Sequence, residues 1–481
     1  MPARKQEPYD LDFVLRRVFK KSSFRPVQRE VIRATLEGQD VFLSAATSFG
    51  KSLCFQLPAV LGHGITIVIS PLLALMNNQI AALRTAGVAV ETINSTIPLS
   101  HKNAILDDLR CGHPHIRLLY VTPEFCTLDH FRRCLRIVHE QQELSRIAVD
   151  EAHCISEWGH DFRRAFQSLS FFKREFPEVP LIALTATATS RVRNDVIETL
   201  GLDRRTVRVF NGTVARPNLH FEVRFKNDDS DIYDDFVTWL RAAHARRKQP
   251  SRAAELQNRG ERPDGVSGII YTLFRRDCEA LAARLCNDRV GARPYHAGLS
   301  SDLKDDYLKG WVDNKEGYDV IVATTAFGMG IDKENVRFVV HWQIPKSFEG
   351  YYQEAGRAGR DGKASVCMIY YGREDRDRAA SLMARDVSGR GAAANADAMQ
   401  TMQSRAQSLQ ALVEYCENTN TCRHKIIANY FGDESTPQCE WACDWHKDKN
   451  DLKRRKEDGL ASEEWCSTQR QSGAYAMDEY D

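Results

Sequence analysis

The stretch RIAVDEAHCISEWGHDF, Arg146–Phe162, contains an aliphatic run that ends in two adjacent carboxylates. A short apolar run of this kind is typical of a strand buried in a parallel sheet. Ligands of open α/β sheets bind beyond the carboxyl ends of the strands, which is where Asp150 and Glu151 would lie. The stretch therefore predicts an α/β fold in which Asp150 binds Mg²⁺ and Glu151 orients and deprotonates a water molecule beside a bound nucleoside triphosphate.

Short apolar runs alternate with helical segments in two blocks, from about Phe24 to Leu202 and from about Asp231 to Tyr371. This alternation predicts two parallel, doubly wound sheets. The predicted strands of the first block are Asp40–Leu43, Thr66–Ser70, Ile116–Val121, Arg146–Val149 and Leu181–Leu184. Those of the second block are Gly268–Tyr271, Asp319–Val322, Val336–His341 and Val366–Tyr370.

The predicted domains follow these blocks. We expect an N-terminal tail at residues 1–11, an α/β domain at 12–205 and a second α/β domain at 206–388. A small helical module at 399–446 and a charged tail at 447–481 would follow. Residues 246–265 are polar and carry Arg, Pro and Gly, which predicts an exposed, mobile insertion in the second α/β domain. The tail is predicted because the chain from Lys447 onward is charged and shows no apolar periodicity.

Composition limits the compartment and the partners. The 481 residues carry a formal charge of +1, so any affinity for nucleic acid must come from a local groove. No apolar run reaches the roughly 18 residues of a membrane span, and residues 1–9 lack the apolar core of a signal peptide. Most of the 13 cysteines are therefore predicted to be reduced, in a cytosolic or nuclear protein.

A phosphate-binding loop is predicted at AATSFGKS, Ala45–Ser52, because the motif lies between a strand and a helix. Backbone amides at a helix start can cradle phosphates. Lys51 would neutralise the β and γ oxygens of ATP, and the Ser52 hydroxyl would ligate Mg²⁺. The other predicted ATP contacts in this loop are Thr47, Ser48, Phe49 and Gly50. A surface turn with an exposed lysine is the alternative, and the later Asp150-Glu151 pair argues against it.

The loop departs from the usual pattern at Ala45, which replaces the first glycine, and at Ser48 and Phe49, where small residues are commoner. A non-glycine residue forced to positive φ costs about 1–2 kcal/mol. Such a cost could weaken nucleotide affinity but removes no catalytic atom.

The string FRPVQ, Phe24–Gln28, precedes this loop by one helix. The amide of Gln28 pairs a donor with an acceptor, which suits an adenine edge. Arg25 could stack on the base. Taken alone, Gln28 would be a solvated helix residue.

Hydroxyl-bearing residues end three other predicted strands, in Ser70-Pro71, Thr122-Pro123-Glu124 and Thr185-Ala186-Thr187. Hydroxyls there can contact phosphates of a DNA strand or couple to the nucleotide, although each alone is an ordinary cap. Trp158, His160 and Phe162 lie a few residues after Glu151, where aromatic rings could stack on a nucleic-acid base.

In the second block, QEAGRAGRDG, Gln353–Gly362, places two arginines three residues apart. Arg357, Arg360 or both could reach the γ-phosphate as an arginine finger, with Gln353 as a further nucleotide contact. A pair of surface arginines is the alternative, which does not explain the glycine spacing. The motif Thr324–Asp332 follows a strand and would line the same cleft and the nucleic-acid track.

Near the C-terminus, Cys439, Cys443 and His446 have the spacing C-x3-C-x2-H, and Cys422 stands at a predicted helix start. Together these four side chains can bind one tetrahedral ion, for which zinc is suited. Cys416 is a competing ligand.

Taken together, the motifs resemble the RecQ family of superfamily 2 DNA helicases over roughly residues 12–446. The strings that carry the resemblance are FRPVQ at 24–28, GKS at 50–52, DEAHCISEWGHDFR at 150–163, LTATAT at 184–189, ARPNL at 215–219, YHAGL at 295–299, FGMGIDK at 327–333 and YYQEAGRAGRDG at 351–362. The chain is most similar in its compactness to the short, fifth type of eukaryotic RecQ enzyme.

The resemblance implies two RecA-like domains and a zinc-binding helical module that use ATP for 3′-to-5′ translocation on single-stranded DNA and for unwinding of partly duplex DNA in repair and recombination. It implies that the loop with Trp158, His160, Phe162 and Arg163 couples DNA binding to hydrolysis, and that Arg360 is the finger. Glu157 stands where the family usually has Gln.

At the zinc site the family has four cysteines. His446 replaces the last of them, and Cys416 matches a position that is not a ligand in the family.

Two other functions are alternatives. The aromatic loop and the zinc module argue against an RNA-directed helicase, which a comparison of ATPase stimulation by DNA and RNA would test. The presence of Lys51, Asp150, Glu151 and Arg360 argues against a non-enzymatic DNA-binding scaffold, which any DNA-stimulated turnover would exclude. We expect no winged-helix domain in the tail. Translocation along DNA is expected without such a domain, whereas efficient duplex unwinding does not follow from the sequence. The basic run at 453–456 is either a nuclear signal or a solvated face.

Overall fold

The computed structural model describes residues 9–156, 164–226, 231–325, 327, 333–388, 396–434, 439 and 443–466. The chain forms two compact units. The first extends to Val214 and includes a short later segment that begins at Ala428, and the second begins at Ala215.

The first unit contains, within its described residues, a seven-stranded sheet whose strand pairings are all parallel. Its strands are β1 (Val41–Ser44), β2 (Ile65–Ile69), β3 (Val90–Ile93), β4 (Leu118–Val121), β5 (Leu144–Val149), β6 (Leu181–Thr185) and β7 (Arg208–Asn211). Their order across the sheet is β3-β4-β2-β5-β6-β1-β7.

Helices cover both faces of this sheet. Their bounds are Leu11–Arg17, Gln28–Leu36, Leu53–Leu61, Leu73–Thr85, Leu99–Arg110, Pro123–Cys126, Asp129–Glu140, Arg164–Gln167, Phe171–Glu175 and Ser190–Thr199, with 3-10 turns at Ala152–Ile155 and Ser168–Ser170. Successive residues of a strand face opposite sides: Ile67 and Ile69 pack into one core, whereas Val68 packs into the other. The aliphatic β2 is buried along its whole length, as expected for an interior parallel strand.

The second unit contains a six-stranded sheet in its described residues, also with parallel pairings. Its strands are β8 (Leu219–Phe225), β9 (Gly268–Tyr271), β10 (Ala292–Tyr295), β11 (Val320–Ala323), β12 (Phe338–His341) and β13 (Ser365–Tyr371), in the order β10-β11-β9-β12-β13-β8. Its α/β helices are Ile232–Arg247, Pro250–Gln257, Arg275–Asn287, Ser301–Val312 and Phe348–Ala355.

The later helices are Arg373–Ser388, Ala396–Glu417, Arg423–Tyr430, Asp444–Lys447 and Lys449–Cys466. Together with the two sheets they confirm the predicted fold class, two parallel α/β domains followed by a helical region.

The predicted strands are found within a few residues of their expected ends, but β3, β7, β8 and β10 are not among those predicted. All four are edge strands of their sheets. An edge strand is covered on fewer sides, so it lacks the continuous apolar run that marks an interior strand.

Two segments, predicted as an exposed, mobile insertion and as a tail, contain helices with buried leucines. Within 246–265, Pro250–Gln257 is a helix whose Leu256 is buried. Within the predicted tail, Lys449–Cys466 is a helix with Leu452 and Leu460 buried. These two leucines are eight residues apart and so share one helix face, a spacing too sparse to stand out in a charged sequence.

No helix in the described ranges combines the length and apolar character needed to span a bilayer.

Candidate functional site

The predicted phosphate loop connects β1 to the helix Leu53–Leu61 in the first unit. The Lys51 ammonium donates to the carbonyl oxygens of Ala45 at 3.0 Å and Ala46 at 3.3 Å. The lysine thus lies along its own loop, and its charge acts on Asp150 at the end of β5. The structure therefore brings together the cation and the carboxylate that the sequence assigned to one nucleotide site.

Gln28 is buried and touches this loop, so its interpretation as a solvated helix residue is wrong. Its Nε2 donates to the carbonyl oxygens of Phe49 at 2.8 Å and Gly50 at 3.3 Å. Its Oε1 accepts the backbone N–H of Arg25 at 2.8 Å. Gly50 has φ of +83°, and a Cβ there would lie 2.8 Å from the Gln28 amide nitrogen. Gln28 therefore determines the path of the loop.

Three non-glycine residues around this site have left-handed backbone conformations: Val27 with φ 71°, Ser48 with φ 67° and Glu151 with φ 51°. Each such residue costs on the order of 1 kcal/mol or more, and the cost is greatest for a β-branched side chain such as Val27. Strained residues persist where the surrounding structure holds them, and they cluster at functional sites.

Asp150 is buried at the end of β5 and accepts the N–H of Glu151 at 3.0 Å. Burial raises the pKa of this carboxyl above its ordinary value, while the Lys51 charge and hydrogen bonds from Glu151 and Gln79 oppose the rise. A buried carboxylate lacks water to solvate its charge, so a divalent cation would stabilise its ionised form. The site therefore fits the predicted Mg²⁺.

Glu151 is linked to β6 through the buried His153. The His153 Nδ1 lies 3.3 Å from Glu151 Oε2 and 3.0 Å from the Thr185 hydroxyl. The N–H of Thr187 donates to the same hydroxyl at 3.2 Å. These contacts tie the predicted general base to the Thr185-Ala186-Thr187 motif.

Two buried hydroxyls near these strand ends have no hydrogen-bond partner among the described residues: Ser70 Oγ and Thr187 Oγ1. A buried polar group without a partner costs about 1–3 kcal/mol. Both positions follow strands whose carboxyl ends meet at the nucleotide side of the sheet. A bound phosphate or water could supply the missing partners.

The predicted aromatic loop lies outside the described residues, so Trp158, His160, Phe162 and Arg163 remain sequence-based predictions. The same holds for 326 and 328–332 in the motif that follows β11.

In the second unit, the two predicted arginines follow the helix Phe348–Ala355, which also carries Gln353. Arg357 is buried, and its charge acts on the Tyr271 side chain, while Arg360 is more exposed. Burial raises the pKa of Tyr271, whose hydroxyl donates to the Phe327 carbonyl oxygen at 2.7 Å. Arg357 is thus fixed within the unit, and Arg360 is the better placed to reach a ligand.

The backbone between the two arginines is held by Arg216. Its guanidinium donates to the carbonyl oxygens of Gly356 at 3.1 Å, Ala358 at 2.8 Å and Gly359 at 2.9 Å. Asn218 also donates to the Gly359 carbonyl oxygen, at 2.9 Å. Gly359 has φ of +55°, and a Cβ there would lie 2.5 Å from the Asn218 amide nitrogen.

The four predicted metal ligands converge: the ligand atoms of Cys422, Cys439, Cys443 and His446 all lie within 4.8 Å of one another. The sulfur–sulfur distances are 3.6 Å between Cys439 and Cys443 and 3.9 Å between Cys443 and Cys422, and His446 Nδ1 is 3.3 Å from the Cys443 sulfur. Tetrahedral zinc with Zn–S bonds of about 2.3 Å separates its sulfurs by roughly 3.8 Å. The cluster therefore fits zinc.

Cys416, the competing ligand, is not part of this cluster. It is fully buried in the helix Ala396–Glu417, where burial raises the pKa of its thiol. A zinc ligand must be a thiolate, so this environment disfavours binding.

Three sequence families match the chain: "DEAD/DEAH box helicase" over residues 25–196, "Helicase conserved C-terminal domain" over 252–362 and "RecQ zinc-binding" over 373–447. ATP-dependent DNA helicase Q5 of Rattus norvegicus is 40% identical over 440 residues, which make up 89% of this chain. The chain belongs to the RecQ helicase family.

Other RecQ relatives agree with this assignment. ATP-dependent DNA helicase Q1 of Rattus norvegicus is 38% identical over 90% of this chain. The chain spans 42% of the length of the Q5 protein and 64% of the length of the Q1 protein.

Solved helicases share the fold of this RecQ chain. Helicase Lhr of Mycobacterium smegmatis, bound to ssDNA and AMP-PNP, has a TM-score of 0.53 and 18% identity, and the match covers 82% of this chain and 56% of that one. Dbp5 of S. cerevisiae, bound to RNA and ADP BeF3, has a TM-score of 0.53 and 14% identity, and the match covers 92% and 97% of the two chains. The two α/β units are accordingly RecA-like.

Three residues that support these motifs had no predicted role: Gln79, Tyr271 and Arg216, the last of which lies in the ARPNL string at 215–219. Gln79 is half-buried, and its Oε1 accepts hydrogen bonds from Tyr120 at 2.8 Å and Gln56 at 3.2 Å. Gln79 lies three residues after the buried Met76 and therefore on the apolar face of its helix. A polar residue on that face was the feature of the sequence that could have identified it. For the other two, the sequence gives no contact partner.

Proposed function

We propose that this RecQ chain is a DNA-dependent ATPase that moves 3′-to-5′ on single-stranded DNA and unwinds partly duplex DNA in repair and recombination. The observation that carries the proposal is the group of Lys51, Asp150 and Glu151 within one unit, where the Lys51 charge opposes the effect of burial on the pKa of Asp150. Cation, metal ligand and base are the groups that hydrolysis of a triphosphate needs.

Each residue has a separate role in this proposal. The loop 47–52 binds the phosphates of ATP, and Lys51 neutralises charge on the β and γ oxygens. Asp150 and Ser52 would hold Mg²⁺, which supplies further charge neutralisation when bound. Glu151 orients the attacking water and accepts its proton.

The adenine base and the γ-phosphate would be contacted from other elements. Gln28 and Arg25 recognise the adenine base. To bind the base, the Gln28 amide would have to give up its hydrogen bond to the Phe49 carbonyl oxygen. Arg360 acts on the γ-phosphate as the finger, with Gln353 as a further contact, and Arg357 holds the loop. The partial exposure of Arg360, compared with the buried Arg357, supports this division.

The zinc module is structural in this proposal. Cys422, Cys439, Cys443 and His446 hold one Zn²⁺, which stabilises the hairpin they connect. We place the protein in the nucleus because its proposed substrate is DNA. Two residues of the basic run 453–456 donate hydrogen bonds to backbone carbonyls, Arg455 to Val223 and Lys456 to Glu417. These two side chains pack on the protein, so the run as a whole is not an exposed nuclear signal.

The proposal is tested by steady-state ATP hydrolysis with no nucleic acid, with single-stranded DNA and with RNA. We expect DNA to stimulate hydrolysis more than RNA does. Lys51→Ala should lose at least about 100-fold of the stimulated rate, because it removes a charge that acts on the transition state. Lys21→Ala, at an exposed lysine of the same unit, is the control and should keep the parent rate. Stronger stimulation by RNA would favour the RNA helicase, and no hydrolysis at all would favour the scaffold.

A further inference from the structure

The zinc module is hydrogen-bonded to the peptide of Arg216. The side chain of Arg216 holds the segment 356–360, which carries Arg357 and Arg360 and is called the arginine loop below. The helix Arg423–Tyr430 begins directly after the metal ligand Cys422, and its second residue is the buried His424. His424 Nε2 lies 3.1 Å from the Arg216 carbonyl oxygen. A carbonyl oxygen can only accept, so the ring is the donor and Nε2 carries the proton.

The position of the His424 ring is defined from a second side. The ring packs edge-on against Phe221 of β8, with centroids 5.0 Å apart and planes at 75°. Val223 of the same strand donates to Asp444 at 3.0 Å, and Asp444 forms a fully buried ion pair with Arg423. These contacts attach to β8 the two segments of the metal hairpin, the one that follows Cys422 and the one that follows Cys443.

Arg216 carries this constraint to the arginine loop. Its guanidinium is buried and bonds to three carbonyl groups of this loop, those of Gly356, Ala358 and Gly359, which flank Arg357 and precede Arg360. A planar guanidinium with three carbonyl acceptors fixes their relative orientation, which a flexible lysine would not do. A rotation of the Arg216 peptide would therefore shift the backbone on which Arg360 is mounted.

We propose that His424 is a positioning residue for ATP hydrolysis, acting through Arg216 on the loop that carries Arg360. This inference rests on the proposed function. Through His424, the metal-binding hairpin defines the geometry of the arginine loop in addition to stabilising its own fold. A displacement of about 1 Å in a catalytic group can cost on the order of 100-fold in rate, so partial loss of this support should cost roughly tenfold.

The test uses two substitutions at one position in the full chain. His424→Phe keeps a ring against Phe221 but removes the donor, whereas His424→Gln keeps a donor at the place of Nε2. We expect His424→Phe to lower the DNA-stimulated kcat roughly tenfold, with unchanged zinc content and unchanged affinity for a non-hydrolysable ATP analogue. His424→Gln should recover most of the rate. Parent-like kcat in His424→Phe, failure of Gln to rescue, or loss of zinc would each overturn the proposal.

A double-mutant comparison separates positioning from general loss of stability. If His424 acts through Arg360, then His424→Phe should not lower further the residual rate of Arg360→Ala, measured in single turnover. Rates that multiply would overturn the proposal. If His424→Phe does not fold, Arg216→Lys takes its place, and a parent-like kcat there would overturn it equally. A parent chain without DNA-stimulated hydrolysis would instead refute the proposed function.

Discussion

Ser48 shows how a single residue can place backbone strain in the nucleotide loop. Its φ of 67° lies in the region that favours glycine, and it stands between the strand that starts the loop and Lys51. The sequence indicated that a residue such as Ser48 or Phe49 would be costly at positive φ, and Ser48 is the one that adopts it. The strain is maintained by neighbours such as Gln28, which bonds to the next two carbonyls of the loop.

Ser48→Gly should stabilise the protein. Glycine removes the left-handed cost of about 1–2 kcal/mol and adds back roughly 0.5–1 kcal/mol of chain entropy, so the expected gain in free energy of unfolding is about 0.5–1 kcal/mol. Ser48→Ala is the matched control, because it loses the hydroxyl but keeps the strained Cβ. Denaturant unfolding of both variants checks the prediction, which is wrong if the glycine variant is no more stable than the alanine variant.

At this scale, the sequence predicted which side chains carry charge and chemistry better than it predicted their support. Lys51, Asp150 and Glu151 follow from motif spacing. Gln79 and Arg216 do not, because each acts through partners far away in the chain that only the fold brings close. Such contacts have no local pattern that a sequence could reveal.

Among the elements, interior strands were predictable and edge strands were not. β2 and β6 are buried along their whole length, and each consists of aliphatic residues with a single threonine, as expected for strands covered on both faces. By contrast, β10 reads Ala-Arg-Pro-Tyr, and a proline is tolerated there because the strand lies at an edge. β8 alternates apolar and polar residues, a signal that was present but weaker than a continuous run.

The helix Lys449–Cys466 should contribute to stability, contrary to its prediction as a tail. Leu452 is fully buried, so Leu452→Ala should lower the free energy of unfolding by about 2–5 kcal/mol. Lys453→Ala, at the exposed neighbour, should change it by less than about 0.5 kcal/mol. Equal effects in thermal or denaturant unfolding would show that this helix does not pack as described.

The metal hairpin should bind about one zinc per chain, as a single four-ligand site does. His446→Cys should keep the metal, because thiolate is an equally good ligand. His446→Ala should lose it and destabilise the hairpin, since binding and local folding are coupled. Elemental analysis of these variants is the measurement. Loss of zinc in Cys416→Ala but not in Cys422→Ala would contradict the ligand set.

For the whole molecule, the proposed activity requires that DNA binding and ATP hydrolysis be coupled. The fold provides two RecA-like units, with the phosphate loop and carboxylates in one and the arginine loop in the other.

Trp158, which lies outside the described residues, is the predicted coupling residue. Base stacking on an aromatic ring is worth roughly 1–3 kcal/mol, enough to bias a loop between two positions. Trp158→Ala should leave the DNA-free ATPase rate nearly unchanged and reduce its stimulation by single-stranded DNA, whereas Trp158→Phe should keep much of the stimulation. Both rates are measured beside the melting temperature. Full stimulation in a stable alanine variant contradicts the role, and joint loss of both rates with stability identifies a core residue.

The proposed 3′-to-5′ unwinding activity can be measured as strand separation on DNA duplexes that differ only in the position of a single-stranded tail. We expect ATP-dependent unwinding of a 3′-tailed duplex, little unwinding of 5′-tailed or blunt duplexes, and none by Lys51→Ala. Unwinding that favours the 5′ tail, or that proceeds in the Lys51→Ala variant, would contradict it.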